Sequence, residues 1–259
     1  MLFRSVEERD GNRAMVSVGL YVWAQNRIRN LLVRNGLRLA NGLRVRIFGP
    51  LDMWAQNGRL SLKMSGIDPR FTLGDLAVRR EEILRRLRES GLIDANRQTT
   101  MPAVPLNVGL VTSVTSAAYA DFTAELEKYD VGFCVYACDV RVQGDDAPAM
   151  IATAVEYFGR RDDVHVVVVI RGGGAQNDLA AFDTEEVALA IARCPKPVIT
   201  GIGHEVDHHI ADDVAFEHYK TPTAVAVALL EKVWSYAERA DAAWRSEEHT
   251  SELQSHHDL

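Results

Sequence analysis

Val164-His-Val-Val-Val-Val-Ile170, followed at once by Arg171-Gly-Gly-Gly174, is the stretch on which the fold turns. A run so nearly continuous in β-branched residues reads as a strand buried on both faces, as in a parallel sheet. Working outward, strand-like runs recur at Asn107–Val111, Val131–Val135 and Pro197–Ile202. Helical stretches fall between them, at about Ala117–Glu127, Pro148–Phe158 and Glu185–Ala192. Alternation of this kind predicts an open, mostly parallel α/β sheet over residues 101–223. In such sheets ligands bind beyond the carboxyl ends of the strands.

The composition agrees with a folded chain. Of 259 residues, 47% are apolar and 25% charged, enough for a core and too apolar for a disordered segment. No apolar run reaches the ~18 residues of a membrane span. Glu7, Glu8, Arg9 and Asp10 interrupt any secretory signal pattern. Cys134, Cys138 and Cys194 are odd in number and lack metal-ligand spacing, so reduced thiols and a cytoplasmic location are expected. The net charge of −7 is unevenly spread: residues 1–70 carry net +7, residues 71–244 net −11 and residues 245–259 net −3. A basic segment on an acidic chain fits a polyanion-binding module, although solvated strand faces give the same count.

Residues 1–70 read as β. Val6, Val16, Val18 and Leu20 alternate with polar residues around a hairpin signal at Asp10-Gly11. Leu43–Gly49 and Arg59–Met64 alternate again, with Asn57-Gly58 as a second turn, and Gln25–Arg38 carries Ile28, Leu31 and Leu32 at helical spacing. A small barrel of the oligonucleotide-binding (OB) type has this look. About four strands are legible where the barrel needs five, so its first strand is expected to be missing. Residues 71–93 read as a connecting helix, with Leu76, Ile83, Leu84 and Leu87 on one face and Gly91 as its stop. Its arginines mix with glutamates, which favours a solvated face over a DNA patch.

Four polar clusters lie where ligands are expected. The first is Thr112-Ser113-Val-Thr-Ser116, running into a helix that carries Asp121 about a turn and a half further in. Hydroxyls at a helix start suit an anion, but taken alone they read more simply as N-caps, with Asp121 a surface residue. The second is Arg171-Gly172-Gly173-Gly174, with Asp178 just beyond. Three glycines let backbone amides approach a phosphate, and Arg171 adds a planar, permanently charged fork. Neither the P-loop nor the dinucleotide fingerprint is present. The third is Thr200-Gly-Ile-Gly-His204-Glu-Val-Asp207-His208-His209. His204 suits a general acid or base near neutral pH, and Asp207 an orienting partner or a holder of water. His204–His208 also fits the H-E-x-x-H pattern of zinc proteases. That pattern needs a helix, whereas here it follows a strand and two glycines. The downstream Gly and His of the extended pattern are Ala211 and Val214, so the zinc-protease reading is set aside. The fourth is Lys220-Thr221-Pro222-Thr223, where Pro222 pre-sets a helix start; the threonines read equally as caps or as phosphate contacts.

Taken together, these residues resemble one family. TSxxSAAxxDF (112–122), VQG (142–144), VVVIRGGGAxxDLAAFDxE (167–185), PVITGIGHExD (197–207), ADDVA (211–215) and KTPTA (220–224) are similar to the large subunit of exodeoxyribonuclease VII, in order and at family spacing. The similarity is strong over about residues 101–233 and weaker over 1–70. It implies an exonuclease that hydrolyses phosphodiester bonds of single-stranded DNA in both 5′→3′ and 3′→5′ directions, as a complex with a small subunit that docks on a long coiled coil. It implies Asp121, Arg171, His204 and Asp207 as catalytic residues. Ser113, Gly172, Gly173, Gly174, Asp178, Lys220 and Thr221 fall at motif positions expected to hold phosphate or DNA. A divalent metal is not strictly required by the family, and no metal ligand is assigned. Ala175 departs from the serine more often found after the glycines.

The expected organisation is a partial OB-fold single-stranded nucleic-acid-binding domain over 1–70 and a connecting helix and linker over 71–100. An α/β nuclease domain over 101–223 and the start of a coiled-coil helix over 224–244 follow. Residues 245–259 are expected to be a foreign tail, because Arg245–Gln254 resembles the in-frame translation of a sequencing adapter. The alternatives are a non-catalytic single-stranded DNA-binding fragment and, last, a Rossmann-like nucleotide-binding enzyme.

Overall fold

The computed structural model describes residues 2–9, 12–37, 39, 43–54, 58–172, 176–202 and 208–255. The chain divides into two units, residues 1–82 and 83–259.

In the first unit, β1 (Leu2–Arg9) and β2 (Asn12–Gly19) pair antiparallel with Arg9 opposite Asn12. That is the two-residue spacing expected of Asp10-Gly11, which themselves lie outside the described residues. α1 (Val22–Arg34) begins three residues earlier than its apolar spacing predicts. It buries Ala24, Ile28 and Leu32 with Val18, Leu20, Met64 and Ile67. β3 (Arg46–Phe48), β4 (Leu51–Trp54), β5 (Arg59–Lys63) and β6 (Gly66–Asp68) follow. The sheet order is β1-β2-β5-β4, with β2 and β5 parallel and β4 and β5 antiparallel, while β3 and β6 form a separate antiparallel pair. Sequence reading misses β4 and β6 because three or four residues are too short to show a period. α2 (Pro69–Glu89) then spans the boundary between the units, and Gly91, at φ +71°, follows its end. Within the first unit Asp75 accepts from both Arg44 and Arg79 at 2.9 Å.

The second unit is a parallel sheet of β7 (Asn107–Thr112), β8 (Cys134–Asp139), β9 (Val166–Ile170), β10 (Val198–Gly201) and β11 (Glu217–His218). Its helices are α3 (Ala117–Glu127), α4 (Ala147–Gly159), α5 (Glu185–Ala192), α6 (Ile210–Val214) and α7 (Pro222–Ser255). A 3₁₀ segment, Gln176–Asp183, precedes α5. The strand order is β11-β10-β9-β7-β8. β9 is central, and all five of its residues are buried. Val166, Val168 and Ile170 pack with α3 and the first turns of α7, while Val167 and Val169 pack with α4, α5 and α6. Both faces are covered, which is why the run shows no polar alternation.

β8 lies three residues later than its most β-branched stretch. Gly132, at φ +84°, breaks Val131–Val135, and the strand that forms is an edge strand of alternating exposure. β11 and α6, two and five residues long, were not legible. α7 is buried through Leu230, and its described side chains are exposed from Trp234 onward. The helix does not stop at Trp244. Ser246–Ser255 contains neither glycine nor proline and carries three glutamates, so no strong helix breaker halts a helix already begun.

Gly109 of β7 lies beneath the Phe158 ring, and a Cβ there would come within 2.6 Å of it. Phe158 is fully buried and cannot yield without disturbing α4. Gly109→Ala is therefore expected to destabilise this unit by about 1–3 kcal/mol through overpacking. Denaturant unfolding checks this, and an unchanged midpoint would contradict it. No helix among the described residues is long and apolar enough to cross a membrane. The three cysteines are free thiols, and burial pushes those of Cys138 and Cys194 above the usual range.

Candidate active site

The strand order makes the chain reverse between β7 and β9, and open parallel sheets form a ligand crevice at the carboxyl ends of such a strand pair. Three residues meet there. Ser113 directly follows β7, and Arg171 and Gly172 directly follow β9. A Cβ on Gly172 would lie 3.2 Å from the backbone nitrogen of Ala118 and 3.3 Å from its Cβ. The β9 turn therefore rests on the first turn of α3, and only a residue without a side chain fits without displacement. Arg171 is 5% exposed, a rare state for a guanidinium. Its backbone N–H donates to the carbonyl of Gly201 at 3.2 Å.

That bond leads to the end of β10. A Cβ on Gly201 would lie 2.6 Å from Val225 Cγ2 and 3.2 Å from the carbonyl oxygen of Thr221. The start of α7 is thereby brought to the same edge of the sheet. Thr221 caps it, its Oγ1 accepting from Ala224 N–H at 3.1 Å. Ser116 caps α3, accepting from Tyr119 N–H at 3.3 Å and donating to the Ser113 carbonyl at 2.6 Å. Both hydroxyls therefore act as helix caps. Ser113 Oγ sits 3.2 Å from Thr115 Oγ1, and Asp139, at the end of β8, accepts from Val114 N–H at 3.0 Å and steadies this turn.

The structure thus gathers Ser113, Arg171, Gly172 and Thr221 on one edge of the sheet, with two helix N-termini. Lys220 lies exposed just before α7, and Asp121 lies exposed one turn into α3. Gly173, Gly174, His204 and Asp207 lie outside the described residues, as does the side chain of Asp178. A buried guanidinium, close-packed glycine backbone and helix N-termini suit an oxyanion such as a phosphate.

On this side of the sheet, residues of three separate motifs pair in a way that was not foreseen. Thr200, buried in the middle of β10, donates to Asp212 Oδ1 at 2.6 Å. Asp212 Oδ2 accepts from His209 N–H at 3.1 Å. His209 Nδ1 lies 2.8 Å from Asp183 Oδ2, and Asp183 Oδ1 accepts from Ile210 N–H at 2.9 Å. The available sign was Thr200, a polar residue within an apolar strand. At the opposite end of β10, buried Asn96 donates to the carbonyls of Cys194 and Lys196 and accepts from Val198 N–H, fixing the linker to the sheet. Tyr219 donates to Glu217, which also binds Lys232 of α7, and burial raises the Tyr219 pKa.

A doubly wound α/β protein with polar residues at its topological switch point is the class these features define. The chain belongs to the exonuclease VII large subunit family, whose model, "Exonuclease VII, large subunit", matches residues 92–257. Among curated relatives, the exodeoxyribonuclease 7 large subunit of Moorella thermoacetica is 39% identical over 240 residues, covering 90% of this chain and 58% of that protein. That of Syntrophotalea carbinolica is 36% identical over 224 residues, covering 83% and 56%. That of Acaryochloris marina is 37% identical over 185 residues, covering 71% and 44%. The chain thus spans about half the length of the curated relatives it matches.

Proposed function

We propose that this chain hydrolyses phosphodiester bonds of single-stranded DNA, exonucleolytically from both ends, as the catalytic part of a cytoplasmic large subunit that works with a small subunit. The observation that carries the reading is the buried Arg171, seated at the β7/β9 switch point beside a glycine that packs on a helix N-terminus. Positioning and charge stabilisation dominate phosphoryl transfer. Arg171 and the amides of Gly172, Gly173 and Gly174 hold and neutralise the scissile phosphate. His204 acts as general base or acid, and Asp207 orients it or the attacking water. Asp121 is a second orienting carboxylate or a metal ligand, and a divalent metal is not strictly required. Ser113, Asp178, Lys220 and Thr221 line the path of the strand. α7, exposed beyond Val233 with Trp234 and Trp244 on its surface, is the start of the coiled coil that docks the small subunit.

The first unit is read as an OB-type barrel that binds single strands, a reading supported by its net positive charge and its parallel β2/β5 ladder enclosing α1 in the crossover. α1 displays Arg27, Arg29 and Arg34. Arg27 and Arg34 border an open groove of about 470 Å³ with Asn30 and Ser65. Removing three phosphate contacts flattens the salt dependence of single-strand binding by about 0.7 per contact. Replacing all three arginines by alanine is thus expected to lower the slope of log affinity against log salt by about 2. Fluorescence anisotropy over a salt series reads this, and an unchanged slope would remove α1 from the binding surface.

Digestion of end-labelled single-stranded and duplex DNA, with and without EDTA, tests the activity. Strand-selective cleavage that survives EDTA is expected. Cleavage abolished by EDTA would overturn the metal reading, and equal attack on duplex would overturn the substrate.

A further inference from the structure

We propose that Thr112 is a phosphate-binding residue whose hydroxyl donates to an oxyanion held at the start of α3, an assignment that rests on the nuclease reading of this site. Thr112 ends β7 after Val108, Gly109, Leu110 and Val111, all of them buried and apolar. Val108 and Leu110 pack with Ala118, Phe122 and Leu126 of α3. Side chains alternate along a strand, so Thr112 continues that face. Ser113–Ser116 then turn the chain straight back, and α3 begins over it. Thr112 is 0% exposed, and its Oγ1 has no hydrogen-bond partner among the described residues. Asp139, opposite it on β8, accepts from Val114 N–H instead. Thr200, the threonine buried in β10, has its partner in Asp212.

A buried hydroxyl without a partner is costly, and a valine would fill the same space without that cost. This one stands at the carboxyl end of a strand, where open α/β sheets bind their ligands. The helix above it is 11 residues long, and the N–H groups of a helix's first turn have no partner within the helix. Ser116 caps only the Tyr119 amide. The Ala118 amide nitrogen instead lies 3.2 Å from the position a Gly172 Cβ would take, so it faces the β9 turn that begins with Arg171. A permanent cation, a helix start and a neutral hydroxyl donor are thereby set around one point, a combination that suits a phosphate. The hydroxyl is enclosed, so the anion reaches it by parting the β9 turn from α3. The contact to be parted is between Gly172, which has no side chain, and Ala118, which has one methyl, so few dispersion contacts oppose it.

The test uses the full chain with Thr112→Val and Thr112→Ser. It is read by isothermal titration with inorganic phosphate, by cleavage of end-labelled single-stranded DNA and by denaturant unfolding in phosphate-free buffer. Hydrogen bonds to charged groups are the stronger class, so Thr112→Val is expected to weaken phosphate binding and lower kcat/KM, each by about 10–100-fold. Thr112→Ser keeps the donor and is expected to stay within about threefold on both. Without phosphate, Thr112→Val is expected to unfold at the same or a higher denaturant concentration, because it removes a buried group that has no partner. A merely structural hydroxyl gives the opposite sign. Earlier unfolding of Thr112→Val with phosphate binding and cleavage unchanged would overturn the assignment, as would equal losses in Thr112→Val and Thr112→Ser. So would the absence of phosphate binding by the unaltered chain. If the unaltered chain binds phosphate with this dependence on Thr112 but cleaves no single strand, the nuclease reading falls and the phosphate site stands.

Discussion

Arg171→Lys is expected to lower cleavage of single-stranded DNA by about 10²–10³-fold, the loss seen when one preorganised donor to a developing charge is removed. Two physical effects act together. The guanidinium presents a planar fork of donors that matches two phosphate oxygens, and an ammonium presents a point charge on a flexible stem. Position 171 is also 5% exposed, and burial at that level disfavours a charged lysine, so part of the charge is lost with the fork. The backbone bond from residue 171 to the Gly201 carbonyl does not depend on the side chain, and the fold is expected to survive. Single-turnover cleavage of an end-labelled strand reads the effect, with thermal unfolding as the control for folding. Near-normal cleavage would remove Arg171 from the phosphate site.

His204→Ala is the second large effect. General acid–base catalysis by a placed side chain contributes about 10²–10⁴-fold, and loss of cleavage on that scale is expected. Strand affinity and its salt dependence are expected to stay unchanged, because counterion release depends on the lysines and arginines, which this variant keeps. The pairing of the two readouts separates an enzyme from a binding module. Anisotropy and digestion on the same preparation decide it. Cleavage equal to the unaltered chain would show that the chemistry resides elsewhere.

How much of this was legible varies by element. β9 announced itself because five buried valine and isoleucine residues in succession have no other economical reading. α3 and α5 were legible to the residue, Ala117–Glu127 and Glu185–Ala192, because Ser116 and Thr184 cap them and the helical spacing is local. β8 was displaced because its strongest β-branched residues sit around Gly132, and an edge strand is decided by its one neighbour more than by its own composition. The short strands β4, β6 and β11 have too few residues for a period to emerge.

In the site, each loop was recognisable singly, but each hydroxyl had two readings. Neighbouring atoms supplied what the sequence lacked: Ser116 and Thr221 cap helices. Asp183, Thr200, His209 and Asp212 stand in recognisable motifs, but their mutual contacts were not legible because they are scattered over thirty positions and share no spacing. Helix caps, buried strands and glycine turns depend on residues within a turn or two of each other, so the chain's own order reveals them. That Gly172 lies on Ala118, Gly201 on Val225 and Asn96 on Val198 follows from the strand order β11-β10-β9-β7-β8. That order is set by packing both faces of one sheet at once, a condition on the whole unit that no local stretch contains.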